Sequence, residues 1–170
     1  MPVRHVVEID VRPRFAPRVD PALLRDAVVA TLESRRLRRS RAVAVTITDT
    51  RTVQRLNMRY LGDDHSTDIL SFNVDIKGLR RPDGVQDLGA LIVALPVAAR
   101  GARERGVALD DELALLIVHG TLHLLGFDHQ TRPDDSRMRE LERHALQRLQ
   151  RPHAAREPLL GEQGLNNELA

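Results

Sequence analysis

The spacing of apolar residues along this chain predicts strands and helices that alternate in its first half. Period-two alternation or runs of β-branched residues predict four strands, at residues 3–11, 42–47, 69–74 and 88–95. Apolar residues three or four positions apart predict five helices, at about residues 20–37, 51–60, 96–105, 110–126 and 133–149. The resulting order, β-α-β-α-β-β-α-α-α, predicts an α+β fold in which a single mixed sheet of about four strands is covered by about five helices.

Start and stop signals set the limits of the predicted domain. Asp20 is an N-cap residue followed by proline at the first helical position, and Asp110 is expected to cap the apolar fourth helix. After Arg151 the periodic pattern gives way to proline, glycine, asparagine and glutamate. The sequence therefore predicts one domain over residues 1–151, an ordinary domain length, and a disordered C-terminal tail over residues 152–170.

The composition excludes several classes of function. The chain has no cysteine, which rules out a disulfide scaffold, thiolate zinc fingers, iron–sulfur clusters and cysteine nucleophiles. Only 2% of its residues are aromatic, so we expect an aliphatic core and no aromatic base-stacking platform for RNA. The N-terminus has no apolar run of signal-peptide length, and the longest apolar run, residues 113–118, is far shorter than a membrane span. We therefore expect a cytoplasmic protein without membrane association.

Charge is distributed unevenly along the chain. Residues 1–59 contain 13 arginines against 6 acidic residues, whereas the later residues are acidic overall. Arginine outnumbers lysine 25 to 1, and its guanidinium group suits phosphate recognition. A basic half favours a polyanionic partner such as RNA, although a solvated surface explains the same charges. The densest basic cluster consists of Arg35, Arg36, Arg38 and Arg39.

Three histidines near the end of the predicted fourth helix carry the clearest chemistry. His119 and His123 are four residues apart, so both imidazoles project from one face of the helix. Gly126 can take the left-handed conformation that ends a helix, and beyond that turn His129 can fold back towards the pair. Three neutral imidazoles with an open fourth position are typical of a catalytic zinc site. Unpaired imidazoles in a helix this apolar are costly, so a metal is favoured over three ordinary histidines.

The spacing of this segment matches the zinc-binding helix and glycine turn of the metzincin proteases, H-E-x-x-H-x-x-G-x-x-H. Gly120 stands where those proteases carry the glutamate that serves as general base. Glu112 lies on the same helical face but two turns away, about 10 Å at 1.5 Å per residue, which is too far to act on water at the metal. The sequence therefore predicts a metzincin-like metal helix followed by a glycine turn, and it argues against the usual protease mechanism.

Three sequence blocks together resemble one known family. Residues 119–129 read H-G-T-L-H-L-L-G-F-D-H, residues 67–72 read T-D-I-L-S-F after Leu56-Asn57 and Tyr60, and residues 88–91 read L-G-A-L. These blocks are similar, in the same order, to H-G-x-L-H-L-x-G-[YF]-D-H, to T-D-V-L-S-F preceded by L-N and a tyrosine, and to an L-G-D-I-like strand. Those are the signatures of the YbeY family of single-strand endoribonucleases, the bacterial rRNA maturation factors.

The resemblance implies a function that spacing alone does not. It implies one zinc ion on His119, His123 and His129, and cleavage of single-stranded RNA. The implied role is maturation of the 3′ end of the small-subunit 16S rRNA and ribosome quality control. The implied partners are therefore rRNA, the small ribosomal subunit and its assembly factors, in the cytoplasm.

Four positions depart from the family pattern, two of them Asn73 and Ser66 in place of common prolines, and no residue is predicted as the catalytic general base. Many members carry arginine directly after the motif tyrosine, where this chain has Leu61, and the nearest arginine is Arg59. The acidic residue of the third block is Ala90 here. The further candidates for substrate contact or for orienting the metal ligands are Arg59, Asp68, Ser71 and Asp128. A helix or turn cap also explains Asp68 and Asp128, and an ordinary strand hydroxyl also explains Ser71.

Three functions remain open from the sequence. The favoured one is a zinc-dependent endoribonuclease, supported by the basic first half. A metal-dependent hydrolase of another substrate, such as a metzincin-like peptidase, is opposed by Gly120. A non-catalytic ribosome-assembly factor that keeps zinc for stability is suggested by Leu61 and Ala90.

Overall fold

The structure is a computed structural model that describes residues 3–74, 81–152 and 167–169 of the chain. Within these ranges the strands are β1 (Val6–Val11), β2 (Arg41–Thr48), β3 (Ile69–Val74), β4 (Gln86–Ala94) and β5 (Asn167–Leu169). The α-helices are α1 (Pro21–Ser34), α2 (Thr50–Leu61), α3 (Leu95–Arg105), α4 (Leu109–Leu124) and α5 (Arg132–Arg148). A 3-10 helix at Pro13–Arg18, which periodicity does not predict, connects β1 to α1.

The strands form one mixed sheet in the order β1-β2-β4-β3-β5. β1, β2 and β4 run parallel, β3 is antiparallel to β4, and β5 is parallel to β3. Parallel neighbours need a crossover connection, and α1 provides it between β1 and β2. The predicted α+β class is therefore confirmed, with the four predicted strands in one mixed sheet.

α1 and α4 cover one face of the sheet, α5 packs on these two helices, and together they form the main hydrophobic core. α4 lies at the centre of this layer, and its Leu113, Leu116, Ile117 and Leu122 are fully buried. Such burial is what a helix that is apolar on nearly all sides requires. Polar groups on α4 therefore need partners inside the fold.

α2 covers the opposite face of the sheet. Its Val53 packs with Leu70 and Phe72 of β3 in a separate, smaller hydrophobic cluster. Side chains alternate between the two faces of a strand, so Ile69 and Ser71 point the other way, towards α4. The T-D-I-L-S-F block thus packs Leu70 and Phe72 against α2, and Ile69 and Ser71 against α4.

Two helix ends differ from the prediction. The N-cap of α4 is Ala108, so Asp110 is not the cap but lies in an acidic first turn, where carboxylates interact favourably with the helix dipole. α4 begins early because Leu109 already packs against the main core. α1 ends at Ser34 rather than near residue 37, and Arg36 just beyond it takes a left-handed φ of 48°.

The predicted disordered tail falls mostly on residues 153–166 and 170, which lie outside the described residues. Within the tail, Asn167–Leu169 pairs with β3 as a short fifth strand that the sequence does not predict. The domain limits at residues 1–151 and 152–170 stay a prediction. No helix in the described ranges is long and apolar enough to cross a membrane.

Candidate metal centre

His119 and His123 lie one turn apart on α4, as their spacing predicts. Their ring centroids are 4.6 Å apart, and their Nε2 atoms are 3.0 Å apart. His123 is buried, with 8% of its surface exposed, whereas His119 is partly exposed at the edge of the core. The two imidazole nitrogens therefore converge on one point beside the helix.

A tight turn at the end of α4 returns the chain towards this point. The Gly126 amide donates to the carbonyl of His123 over 2.9 Å, and the Phe127 amide donates to the carbonyl of Leu122 over 3.1 Å. This pair of hydrogen bonds is the Schellman arrangement that closes a helix, and it needs a left-handed residue, which Gly126 provides with a φ of 93°.

The turn brings His129 to the histidine pair. Its ring centroid lies 5.5 Å from that of His119 and 5.3 Å from that of His123. One nitrogen from each of the three rings lies within 4.8 Å of the others, so the three histidines can hold a metal ion. The Asp128 carboxylate accepts a hydrogen bond from the His129 amide over 2.7 Å and thereby stiffens the loop.

Glu142 on α5 contacts the same centre, which the sequence analysis did not predict. Its Oε1 lies 2.6 Å from Nδ1 of His119, and its side chain is only 9% exposed. An ionised carboxylate only accepts hydrogen bonds, so Nδ1 of His119 is the donor and its Nε2 keeps a free lone pair. The sequence did contain a signal for this contact, because Glu142 is an acidic residue on the buried face of α5, beside Met138, Leu141 and Ala145.

The electrostatics of the centre favour a neutral imidazole at His123. Burial, together with the neighbouring His119 and His129, lowers the pKa of His123 from 6.5 to about 3. A histidine binds metal only in its neutral form. His123 therefore presents a lone pair at any physiological pH.

The donor set fits a zinc ion. Zinc–imidazole bonds are about 2.0–2.1 Å long and the sites are tetrahedral, which puts two ligand nitrogens about 3.4 Å apart. The 3.0 Å between the Nε2 atoms of His119 and His123 is close to that separation. Glu142 supplies the carboxylate that commonly holds the second nitrogen of a metal-binding histidine.

Gly120 lies between the two helical histidines and packs directly on the sheet. A Cβ atom at this position would lie 2.8 Å from Leu91 Cδ2, 3.0 Å from Ile69 Cδ1 and 3.3 Å from Ser71 Oγ. At the position that carries glutamate in metzincins, a side chain would therefore have to displace the ends of Leu91 and Ile69. Ser71 is brought beside the histidine helix, and the close packing disfavours a carboxylate at residue 120.

The other predicted residues lie elsewhere or have structural contacts. Arg59 stacks on Tyr60, 5.4 Å from the ring centroid, and lines a groove on the outer side of α2. The structure therefore places it on the helix that covers the opposite face of the sheet from the histidines. The Asp68 carbonyl accepts from the Ala94 amide over 2.8 Å at the start of β3, which gives this residue a role in strand pairing.

Two of the departures from the family pattern, Leu61 and Ala90, also lie on the α2 side. Leu61 packs against the cluster formed by Val53, Leu70 and Phe72. Ala90 precedes Leu91, whose side chain faces α4, so alternation turns Ala90 away from the histidines.

Two arginines flank the turn that joins His123 to His129. The guanidinium carbon of Arg35 lies 5.1 Å from the ring centroid of Phe127, and that of Arg137 lies 5.8 Å from it. Arg35 is the C-cap of α1 and Arg137 is on α5, so three separate segments meet at this ring. Arg35 belongs to the basic cluster noted in the sequence, but its nearness to the turn is visible only in the fold.

Comparison with known proteins gives a consistent family match. Residues 18–150 match the family model described as Endoribonuclease YbeY. A protein named Endoribonuclease YbeY from Roseiflexus sp. (strain RS-1) is 40% identical over 147 residues, which cover 84% of this chain and 92% of the relative. The protein of the same name from Roseiflexus castenholzii is 36% identical over 166 residues, covering 96% of each chain.

One further relative and one solved structure agree with this match. The Endoribonuclease YbeY of Stenotrophomonas maltophilia (strain R551-3) is 41% identical over 153 residues, covering 86% of this chain and 92% of the relative. The solution structure of TM1509 from Thermotoga maritima superposes with a TM-score of 0.54 at 19% identity, over 85% of this chain and 92% of that one. At that identity the likeness supports the fold.

Proposed function

The chain belongs to the YbeY endoribonuclease family, and from this premise we propose that it is a zinc-dependent endoribonuclease acting on single-stranded RNA. Its proposed role is maturation of the 3′ end of 16S rRNA and ribosome quality control in the cytoplasm, together with the small ribosomal subunit and its assembly factors. The observation that carries the proposal is the convergence of three histidine nitrogens within 4.8 Å beside a buried helix.

His119, His123 and His129 are the proposed ligands of one zinc ion. The convergence of one nitrogen from each ring, the lowered pKa of His123 and the partial exposure of His119 and His129 support this assignment. When bound at such a site, zinc supplies Lewis acidity that polarises a phosphoryl oxygen and lowers the pKa of water.

The surrounding residues hold the proposed ligands in place. Glu142 keeps the proton of His119 on Nδ1 and so directs the Nε2 lone pair to the centre. Asp128 and the glycine turn restrain the loop that carries His129. These contacts reduce the reorganisation that metal binding requires, because the ligands already point at one place.

The packing at Gly120 favours RNA over peptide as the substrate. A peptidase of the metzincin type needs a carboxylate at this position, and Leu91 and Ile69 occupy the space that it would take. The arginine-rich first half of the chain also favours a polyanionic substrate.

The proposal is tested with purified protein and two substrates, single-stranded RNA and an unfolded polypeptide. We expect about one zinc per chain by elemental analysis, RNA cleavage that a chelator abolishes, and an intact polypeptide. His123→Ala is expected to lose the zinc, the cleavage, and the stability that binding adds, about 2.7 kcal/mol at zinc 100-fold above its dissociation constant. His144→Ala, at an exposed histidine of α5, is the matched control and is expected to keep all three.

Two results would contradict the proposal. A His123→Ala protein that retains stoichiometric zinc would refute the ligand set. Zinc-loaded wild-type protein that binds small subunits but leaves RNA intact would show a non-catalytic assembly factor instead.

A further inference from the structure

We propose that Arg35 and Arg137 form a phosphate clamp, meaning a pair of guanidinium groups that hold the backbone of single-stranded RNA beside the histidine centre. This inference rests on the proposed function, because it takes RNA as the ligand. It adds a substrate-binding element whose two arginines come from the end of α1 and from α5, outside the three sequence blocks that identify the family.

The first argument is geometric. Both guanidinium carbons lie within 6 Å of the Phe127 ring centroid, at 5.1 Å and 5.8 Å, the range of a cation–π contact. The ring is held by the turn at the end of α4, because the Phe127 amide is bonded to the Leu122 carbonyl. The clamp therefore has a defined position, four residues after His123 and two before His129.

The second argument is electrostatic. Neither Arg35 nor Arg137 has an acidic partner in the part of the chain that the structure describes. Neighbouring arginines do: Arg139 pairs with Asp135 over 2.9 Å, and Arg148 pairs with Glu33 over 2.9 Å. Without acidic partners among the described residues, two guanidinium groups beside one ring make this part of the surface positive, and a bound phosphate is attracted by both charges.

The third argument concerns the kind of anion. Guanidinium groups bind phosphate oxygens through two parallel hydrogen bonds, and Arg137 is exposed while Arg35 is half-buried. Two groups arranged around one ring suit a chain of phosphates better than a single small anion. The clamp supplies cationic groups on the histidine side of the sheet, whereas Leu61, where many family members carry arginine, lies on the α2 side.

The test measures affinity with zinc-loaded full-length protein. The probe is a fluorescein-labelled single-stranded 2′-O-methyl oligonucleotide, whose integrity is checked on a gel, and its binding is followed by fluorescence anisotropy at several salt concentrations. The R35Q/R137Q double variant keeps the side-chain stems over Phe127 and removes both charges. We expect weaker binding and a slope of log affinity against log salt reduced by about 1.4, since each phosphate contact contributes about 0.7 for a single strand.

Two further variants separate the clamp from general charge and from packing. R100Q/R103Q removes two exposed arginines of α3 and is expected to leave the salt slope close to that of the wild type. R35K/R137K restores the charges and is expected to recover most of the slope. With cleavable RNA, R35Q/R137Q is expected to raise KM and leave kcat within about twofold, as for uniform binding. Melting temperature and zinc content report whether each variant folds.

Each outcome decides the question. Wild-type protein that binds RNA, with R35Q/R137Q and R100Q/R103Q changing the slope equally, overturns the clamp and leaves the proposed function standing. So does a lowered melting temperature of R35Q/R137Q with unchanged RNA affinity, which would make the arginines a structural cover for Phe127. Wild-type protein that neither binds nor cleaves RNA overturns both the clamp and the proposed function.

Discussion

The two faces of the sheet carry different kinds of residue although both contain parts of the family blocks. On the α4 side, three histidines and Glu142 bring polar atoms together at the edge of the core. On the α2 side, Val53, Leu70 and Phe72 form a purely apolar cluster. The arginines of α2 are directed outward, into the groove that Arg51, Arg55 and Arg59 line.

The difference shows that the blocks that identify the family contain both residues placed for chemistry and residues that pack the core. The T-D-I-L-S-F block alternates between the two faces, so its leucine and phenylalanine support α2 while its isoleucine and serine lie against α4. Asn57 of the same block is buried and donates to the His65 carbonyl over 2.9 Å, which ties α2 to the loop before β3. The histidine block alone brings the proposed ligands, and the others hold the sheet and helices around it.

The largest expected effect is a loss of stability on either face of the sheet, and zinc affinity then distinguishes the two faces. Leu70→Ala on the α2 side is expected to lower the free energy of unfolding by about 2–5 kcal/mol, the usual cost of a large cavity, without changing zinc affinity. Leu91→Ala, equally buried but against α4, is expected to cost a similar amount and also weaken zinc binding. Denaturant unfolding at saturating zinc and competition with a chromophoric chelator measure the two quantities. Equal loss of zinc affinity in both variants would remove the distinction between the faces.

The next effect concerns Glu142. Glu142→Ala is expected to weaken zinc binding by about 10- to 100-fold, because His119 then loses the partner that fixes its protonated nitrogen. Glu142→Gln keeps a hydrogen-bond acceptor and is expected to be intermediate. Glu140→Ala, at an exposed position of the same helix, is the matched control. The ring nitrogen shifts of His119 in NMR spectra report its tautomer directly, and an unchanged tautomer with unchanged affinity in Glu142→Ala would contradict the assigned role.

The smallest effect tests the close contact between α4 and the sheet. Gly120→Ala is expected to destabilise the fold by about 1–3 kcal/mol, since its Cβ would lie 2.8 Å from Leu91 Cδ2. Gly101→Ala on α3 meets the guanidinium of Arg105, which pairs with the buried Glu112, so the gain of about 1 kcal/mol from helix propensity is expected to be partly offset and the net change to be small. Thermal melts of the two variants make the comparison. A stable Gly120→Glu protein with peptidase activity would contradict the steric argument against the protease function.

Much of the secondary structure is predictable because its signals are local. The bounds of β3, Ile69–Val74, are those that the pattern predicts, and the other strands and helices differ mainly at their ends. The prediction that Asp110 caps α4 was wrong. The helix starts at Leu109, whose side chain packs against the main core, and this packing outweighs the capping preference of Asp110. The strand order was not predictable, since the insertion of β4 between β2 and β3 depends on pairings between distant segments.

The sequence by itself determined the three histidines as a candidate centre, because i, i+4 spacing and a glycine turn are properties of neighbouring residues. Only the tertiary structure brought Glu142 to His119, 23 positions apart in the chain, and Arg35 and Arg137 to one ring. Those contacts depend on how α1, α4 and α5 cross on the sheet. Helix crossing is decided by the packing of whole side-chain surfaces, which no local spacing along the chain encodes.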